Sequence, residues 1–213
     1  ETVSQLPMDG GWTYGEVLDK AAAGDFRANM LAGEYWMGLY YLNRGDLPLA
    51  CLEHMQHFFR DAATASGHPA PKLMMTDPYG IFGIFKAQPM QPEHAEWLAA
   101  CRKLAEKGDM DAVTALYTVT DLPEAELRRY LAPLEKKAAS GDQDALAQLA
   151  FIKVDWLEEN PANVIETLKQ YRKNAKPVLL ARIGELALAL DGKDGRGWSC
   201  LLYTSPSPRD RQK

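Results

Sequence analysis

The sequence predicts an all-α fold, an α-solenoid of antiparallel helix pairs, and three observations carry that expectation. A phrase of small residue, two spacers, Gly, Asp, two spacers and Ala recurs at residues 21–28, 105–112 and 138–145. Looser copies stand at 64–71, with Gly67 in the glycine place, and at 171–178, with Asn174 there. The five anchors, Gly24, Gly67, Gly108, Gly141 and Asn174, are 43, 41, 33 and 33 residues apart, the spacing of helix-pair repeats. Between anchors lies a second mark, a capping-type side chain just ahead of a proline, at Asp46-Leu47-Pro48, Gln91-Pro92, Asp121-Leu122-Pro123 and Asn160-Pro161. The third observation is that no stretch alternates with period two for long enough to argue a sheet.

Each mark has a local physical cause. A Gly or Asn that ends a helix can take the left-handed conformation that satisfies the last carbonyls, and an Asp just after it can accept the first free amides of the next helix. Gly-Asp is therefore a helix stop joined to a helix start. The flanking alanines, Ala21 and Ala28 in the first copy, let two helices approach closely at the corner. Proline is tolerated in a helix's first turn, so the second mark starts the second helix of each pair. At Asp121 the acid Glu124 follows three residues later, which makes a loose capping box.

Taken in order, a leading helix at about 14–23 pairs onto the front. First-type helices are expected at roughly 26–43, 109–119, 142–159 and 176–190, and second-type helices at roughly 47–66, 92–107, 122–140 and 161–173. Apolar spacing agrees, with Ala28, Leu31, Tyr35, Leu39 and Leu42 on one stripe and Ala145, Leu149, Ile152 and Trp156 on another. The cycle from Gly67 to Gly108 is irregular. Where a first helix should stand, the chain carries an Asp77-Pro78-Tyr79-Gly80 turn, and residues 72–90 are read as an insertion whose Ile81, Phe82, Ile84 and Phe85 tuck into the array.

The stretch from Arg27-Ala28 through Met37-Gly38-Leu39-Tyr40-Tyr41-Leu42-Asn43-Arg44-Gly45, then Ala50 and Ala62-Ala63, resembles the Sel1-like subclass of tetratricopeptide (TPR) repeats. Ala138-Ala139-Ser140-Gly141, with Ala145 and Leu149, is similar to the same family's closing junction. The likeness covers most of residues 18–190; the usual aromatic of the second helix is missing or displaced, and the 33-residue spacings match ordinary TPRs better. The resemblance implies a bacterial helical-repeat scaffold that binds a protein or peptide partner and carries no catalysis of its own. Such arrays bind along their first helices, which singles out Tyr35, Trp36, Tyr40 and Tyr41 on the best-formed one.

The catalytic inventory is thin. The chain has no Gly-x-Ser-x-Gly elbow, phosphate loop, His-Glu-x-x-His or paired Cys-x-x-Cys, and no cofactor is expected. Residues 191–197 are acidic and glycine-rich but lack the oxygen spacing of a calcium loop. The alternative function is a metal-binding or enzymatic helical domain centred on Cys51, His54 and His57, spaced three apart on one helix, with His68 or His94 as a further ligand. Against it, the drift of about 60° per three-residue step spreads the trio around the helix.

Residues 200–210 back-translate without a break to what looks like a transposase-type sequencing-library adapter read in frame. The expectation is a gene fragment, with residues 1–199 as a single repeat array and 200–213 as a non-native tail. Setting aside Arg209, Arg211, Lys213 and Asp210 leaves 21 basic and 28 acidic side chains, so the net charge becomes −7 rather than −5. Nucleic acid is then an unsuitable partner, since phosphate binding needs a basic face. No internal run reaches the length of a membrane span; residues 178–190 are too few and contain Arg182 and Glu185. Localisation stays open, because a signal peptide would lie upstream of Glu1, and Cys51 and Cys101 by themselves indicate neither redox compartment.

Overall fold

A computed structural model describes residues 3–6, 8, 11–42, 48–75 and 92–191 of the chain. Among these residues the fold is all-helical, with ten α-helices and no strand. In chain order they are α1 (Tyr14–Ala22), α2 (Phe26–Leu42), α3 (Pro48–Ser66), α4 (Pro69–Met75), α5 (Pro92–Ala105), α6 (Met110–Val119), α7 (Glu124–Ala139), α8 (Gln143–Asp155), α9 (Pro161–Leu168) and α10 (Pro177–Asp191). Short 3-10 turns at Val3–Gln5 and Lys169–Asn174 complete the set. No helix among the described residues is long and apolar enough to cross a membrane.

The glycine corners form as the phrase requires. Gly24, Gly67, Gly108 and Gly141 all have positive φ, between 66° and 86°. At three of them one double hydrogen bond repeats. The glycine amide donates to Ala21, Ala105 or Ala138 at 2.9–3.0 Å, and the next aspartate amide donates to Lys20, Leu104 or Lys137 at 3.0–3.3 Å. This is the Schellman closure. The aspartate side chain then caps the following helix, Asp25 accepting from the Ala28 amide, Asp109 from Ala112 and Asp142 from Ala145. The residue four past each anchor, Ala28, Pro71, Ala112, Ala145 or Val178, is buried, as a close helix corner demands.

Four local readings need correction. Asn174 does not take the left-handed corner, because α9 tightens into the 3-10 turn at Lys169–Asn174 and leaves through extended Ala175 (φ −72°). Asp121 does not cap α7: Pro123 stands at the N-cap, with no side-chain cap bond, and the helix starts one residue beyond the proline. A helix does stand in the irregular cycle, since α4 takes residues 69–75 and so claims 72–75 from the expected insertion. His68 supports it by accepting the Ala70 amide on Nδ1 at 3.2 Å, in the place where the other corners use Asp. Finally α8 stops at Asp155, and the turn to α9 passes through Glu158 at φ 54°. The expected packing of Ile81, Phe82, Ile84 and Phe85, and the tail at 200–213, lie outside the described residues.

Helices contact mainly their neighbours along the chain. α2 packs along α1 and α3, α4 touches α3, α5 and α6, and α8 touches α7, α9 and α10. Gly33 lets α2 and α3 close together, because a Cβ there would lie 2.5 Å from the Phe59 ring. The buried apolar side chains fall into three clusters that follow chain order. One joins the segment before α1 to α2 through Met8, Tyr14, Val17 and Leu31. The largest runs from Met30 of α2 to Trp156 after α8, and the third joins α8, α9 and α10 through Ala150, Ile165 and Leu179. Both predicted stripes serve these clusters, with Ala28, Leu31 and Tyr35 buried on one and Ala145, Leu149, Ile152 and Trp156 on the other.

Candidate functional site

Polar side chains link several of the helix starts that follow the anchors. Arg27, three residues past Gly24, forms an ion pair with Asp111, three past Gly108. His68 Nε2 lies 3.2 Å from Asp109 Oδ2, and Phe26 packs on the His68 ring at 5.1 Å. With Nδ1 taken by the Ala70 amide, this network places the ring proton on Nε2, which donates to Asp109. Further along, the Gln143 amide donates to the Asn174 carbonyl at 3.0 Å, and Lys176 Nζ pairs with Asp144 at 2.7 Å. Burial pushes the Asp109 carboxyl up, but hydrogen bonds from His68 and the Ala112 amide, aided by the Arg27 charge, outweigh it and hold the group below its ordinary value.

Of the four predicted contact residues, Tyr35 and Trp36 can be placed in full. Tyr35 is 6 % exposed, so it belongs to the packed interior between α1 and α2, its ring centre 4.4 Å from that of Tyr14. Trp36 is half-buried, meets Tyr35 edge-on at 5.7 Å, and carries the His54 imidazole stacked on it at 4.3 Å. Tyr40 and Tyr41 lie on α2, and their side chains are outside the described residues. The partnership of Trp36 with His54 had no sequence signal, since it joins two helices 18 positions apart. Phe58 and Leu39 extend this half-buried apolar surface.

The Cys51, His54 and His57 trio is not brought together. Cys51 is 2 % exposed and turned into the fold, whereas His54 and His57 are exposed. His54 is spent on Trp36, and His57 faces Asp61 one turn on, at 3.7 Å. Burial pushes the Cys51 thiol up and so disfavours the thiolate that a soft metal needs. The proposed extra ligands are elsewhere, His68 at the corner with Asp109 and His94 buried in the first turn of α5, where burial lowers its pKa. Among the described residues no three His, Cys, Asp or Glu side chains form a group able to hold a metal ion. Cys101 is an inert core thiol, pushed up to about 12 by burial and by the Asp109 charge.

Two concavities were not legible in the sequence. A cleft of about 200 Å³ opens between the Gly108 and Gly141 corners, beside Arg27, Lys137 and Asp144. A groove of about 330 Å³ runs between α7 and α9, floored by Leu146, Leu149 and Ala150 of α8. Neither assembles a nucleophile with a base, nor a set of phosphate-binding amides. No protein-family model, curated protein or solved structure matches the chain.

Proposed function

We propose that this protein is a protein-interaction scaffold, an α-solenoid of antiparallel helix pairs of the Sel1-like or TPR class, with no catalysis of its own. The observation that carries the reading is the register of its corners. Helix starts 32 to 84 residues apart in the sequence meet side by side through Arg27–Asp111, His68–Asp109 and Lys176–Asp144, while the packed interior follows chain order in three consecutive clusters. That is the arrangement expected when each helix pair stacks on the one before it. The partner is a protein or peptide that docks on α2, with Trp36, Tyr40 and Tyr41 as contacts and Tyr35 as the support beneath Trp36. The acidic balance of the chain, net −5, disfavours nucleic acid.

The test is capture of a chemically cross-linkable partner by the immobilised protein. Trp36→Ala with Tyr40→Ala should abolish capture while leaving helicity and melting temperature close to those of the parent. Capture that survives the double substitution in a folded protein would remove α2 as the docking surface. Zinc or copper near one equivalent, lost on His54→Ala with His57→Ala, would overturn the scaffold reading in favour of the metal domain.

A further inference from the structure

We propose that His68 is a proton-operated helix cap: neutral, it holds the start of α4, and protonated, it releases that start and keeps Asp109. The geometry uses the two ring nitrogens for opposite tasks. Nδ1 accepts the Ala70 amide at 3.2 Å, and Nε2 lies 3.2 Å from Asp109 Oδ2. Only the neutral ring with its proton on Nε2 serves both. A second proton has to go on Nδ1, where it points at the Ala70 N–H, so an acceptor becomes a donor facing a donor. The same event strengthens the bond to Asp109, because donor and acceptor are then both charged. Acid therefore draws the ring from α4 toward the start of α6.

This cap has few substitutes. Pro69 and Pro71 carry no amide hydrogen, so Ala70 has the one N–H among the first three residues of α4. The corners at Gly24, Gly108 and Gly141 use Asp25, Asp109 and Asp142 in the same role. Carboxylates stay acceptors down to about pH 4, whereas an imidazole changes charge between about pH 5 and 8. Around the ring, the start of α6 brings Asp109 and Asp111, the latter paired with Arg27 of α2. α2 also lays Phe26 on the ring at 5.1 Å, and α3 offers the Ser66 hydroxyl, which accepts the His68 amide at 3.1 Å. α5 brings Cys101 near Asp109, held as a thiol by burial, and α4 itself carries Lys72. Asp109 is the charge in contact with the ring, and its carboxyl is held below the ordinary range, so it is still an anion where imidazoles titrate. His68 is 16 % exposed, which leaves it open to proton exchange with water.

Amide exchange followed by NMR on the full chain, from about pH 8 down to about pH 5, tests this with the corner amides of Ala28, Ala112 and Ala145 as internal controls. At the upper end of that range the His68 nitrogen shifts should show a bare Nδ1 and a protonated Nε2. On acidification the protection factors of α4 should fall about three- to ten-fold, the worth of one cap, while those of Ala28, Ala112 and Ala145 hold. His68→Asn keeps an acceptor that does not titrate, and should make α4 protection independent of pH over the same range. A proton on Nδ1 at the upper end, α4 protection that does not change, a fall shared by the control amides, or a fall that persists in His68→Asn would overturn the inference. If His68→Asn fails to fold, the contrast between α4 and the control amides in the parent decides. Partner docking on α2 plays no part in these readouts, so the scaffold reading and this inference fail separately.

Discussion

At Gly24, Gly108 and Gly141 the glycine amide reaches back three residues to an alanine carbonyl, the next aspartate amide reaches back five, and the aspartate carboxylate turns forward to an alanine amide in the first turn of the next helix. Every residue of the repeated phrase thus has one task in a single hydrogen-bonded corner. Positive φ is the requirement that Ala cannot meet without strain, so Gly24→Ala and Gly141→Ala should each destabilise the fold by about 1 kcal/mol in denaturant unfolding. Both positions have open space for the added methyl. Gly108→Ala should be worse than either, because its Cβ would lie 2.6 Å from the Pro133 ring on α7. A gain in stability at Gly24 or Gly141 would mean that the corner is not left-handed. Asp109 gives the corners a pH dependence. Its pKa is lower folded than unfolded, so the stability it contributes is present above the ordinary carboxylate range and is lost as pH falls through the lowered value. Asp109→Asn should therefore flatten the fall in melting temperature between about pH 5 and pH 3. An unchanged acid limb would contradict the part assigned to His68 and Arg27.

At the scale of elements, helix starts and stops were legible wherever a side chain acted on its own neighbours in sequence. α2 was expected at roughly 26–43 and is Phe26–Leu42, and α6 was expected at roughly 109–119 and is Met110–Val119. The misses have tertiary or very short-range causes. α4 has seven residues and two prolines, too short for a period to register, and it is held by burial of Leu73 and Met74 and by the His68 cap. Asn174 carried the right residue type for a left-handed end, but the chain tightens there so that Gln143 can bond both the Asn174 carbonyl and the Lys176 amide. The turn after α8 shows the opposite case, a non-glycine at positive φ within the span 142–159 where the sequence predicts a helix. Glu158→Gly should relieve that conformation and raise stability by up to about 1 kcal/mol, read as a higher melting temperature. A fall would show that the contacts of the Glu158 side chain outweigh its backbone strain. The candidate site was half legible: α2 drew attention through its aromatics, but that Tyr35 is interior and Trp36 is covered depends on α1 and α3.

At the scale of the molecule, the order of the packed clusters decides how stability is shared. Ala150, Ile165, Leu168 and Leu179 bind α8, α9 and α10 into a group that has no buried member from α1 to α7. Interior contacts at the other end are supplied by Tyr14, Val17, Leu31 and Tyr35. In a stack of repeats each unit is stabilised by its neighbours, so damage at one end is felt locally first. The most direct measurement is native-state hydrogen exchange, residue by residue, in Leu179→Ala. Leu179 is fully buried between α10 and its neighbours, and removing it should cost about 2–4 kcal/mol in that cluster. Stacked repeats predict that amides of α9 and α10 lose protection while those of α2 and α3 keep theirs. Equal loss of protection in all helices would contradict the stacked-repeat account and require one indivisible core.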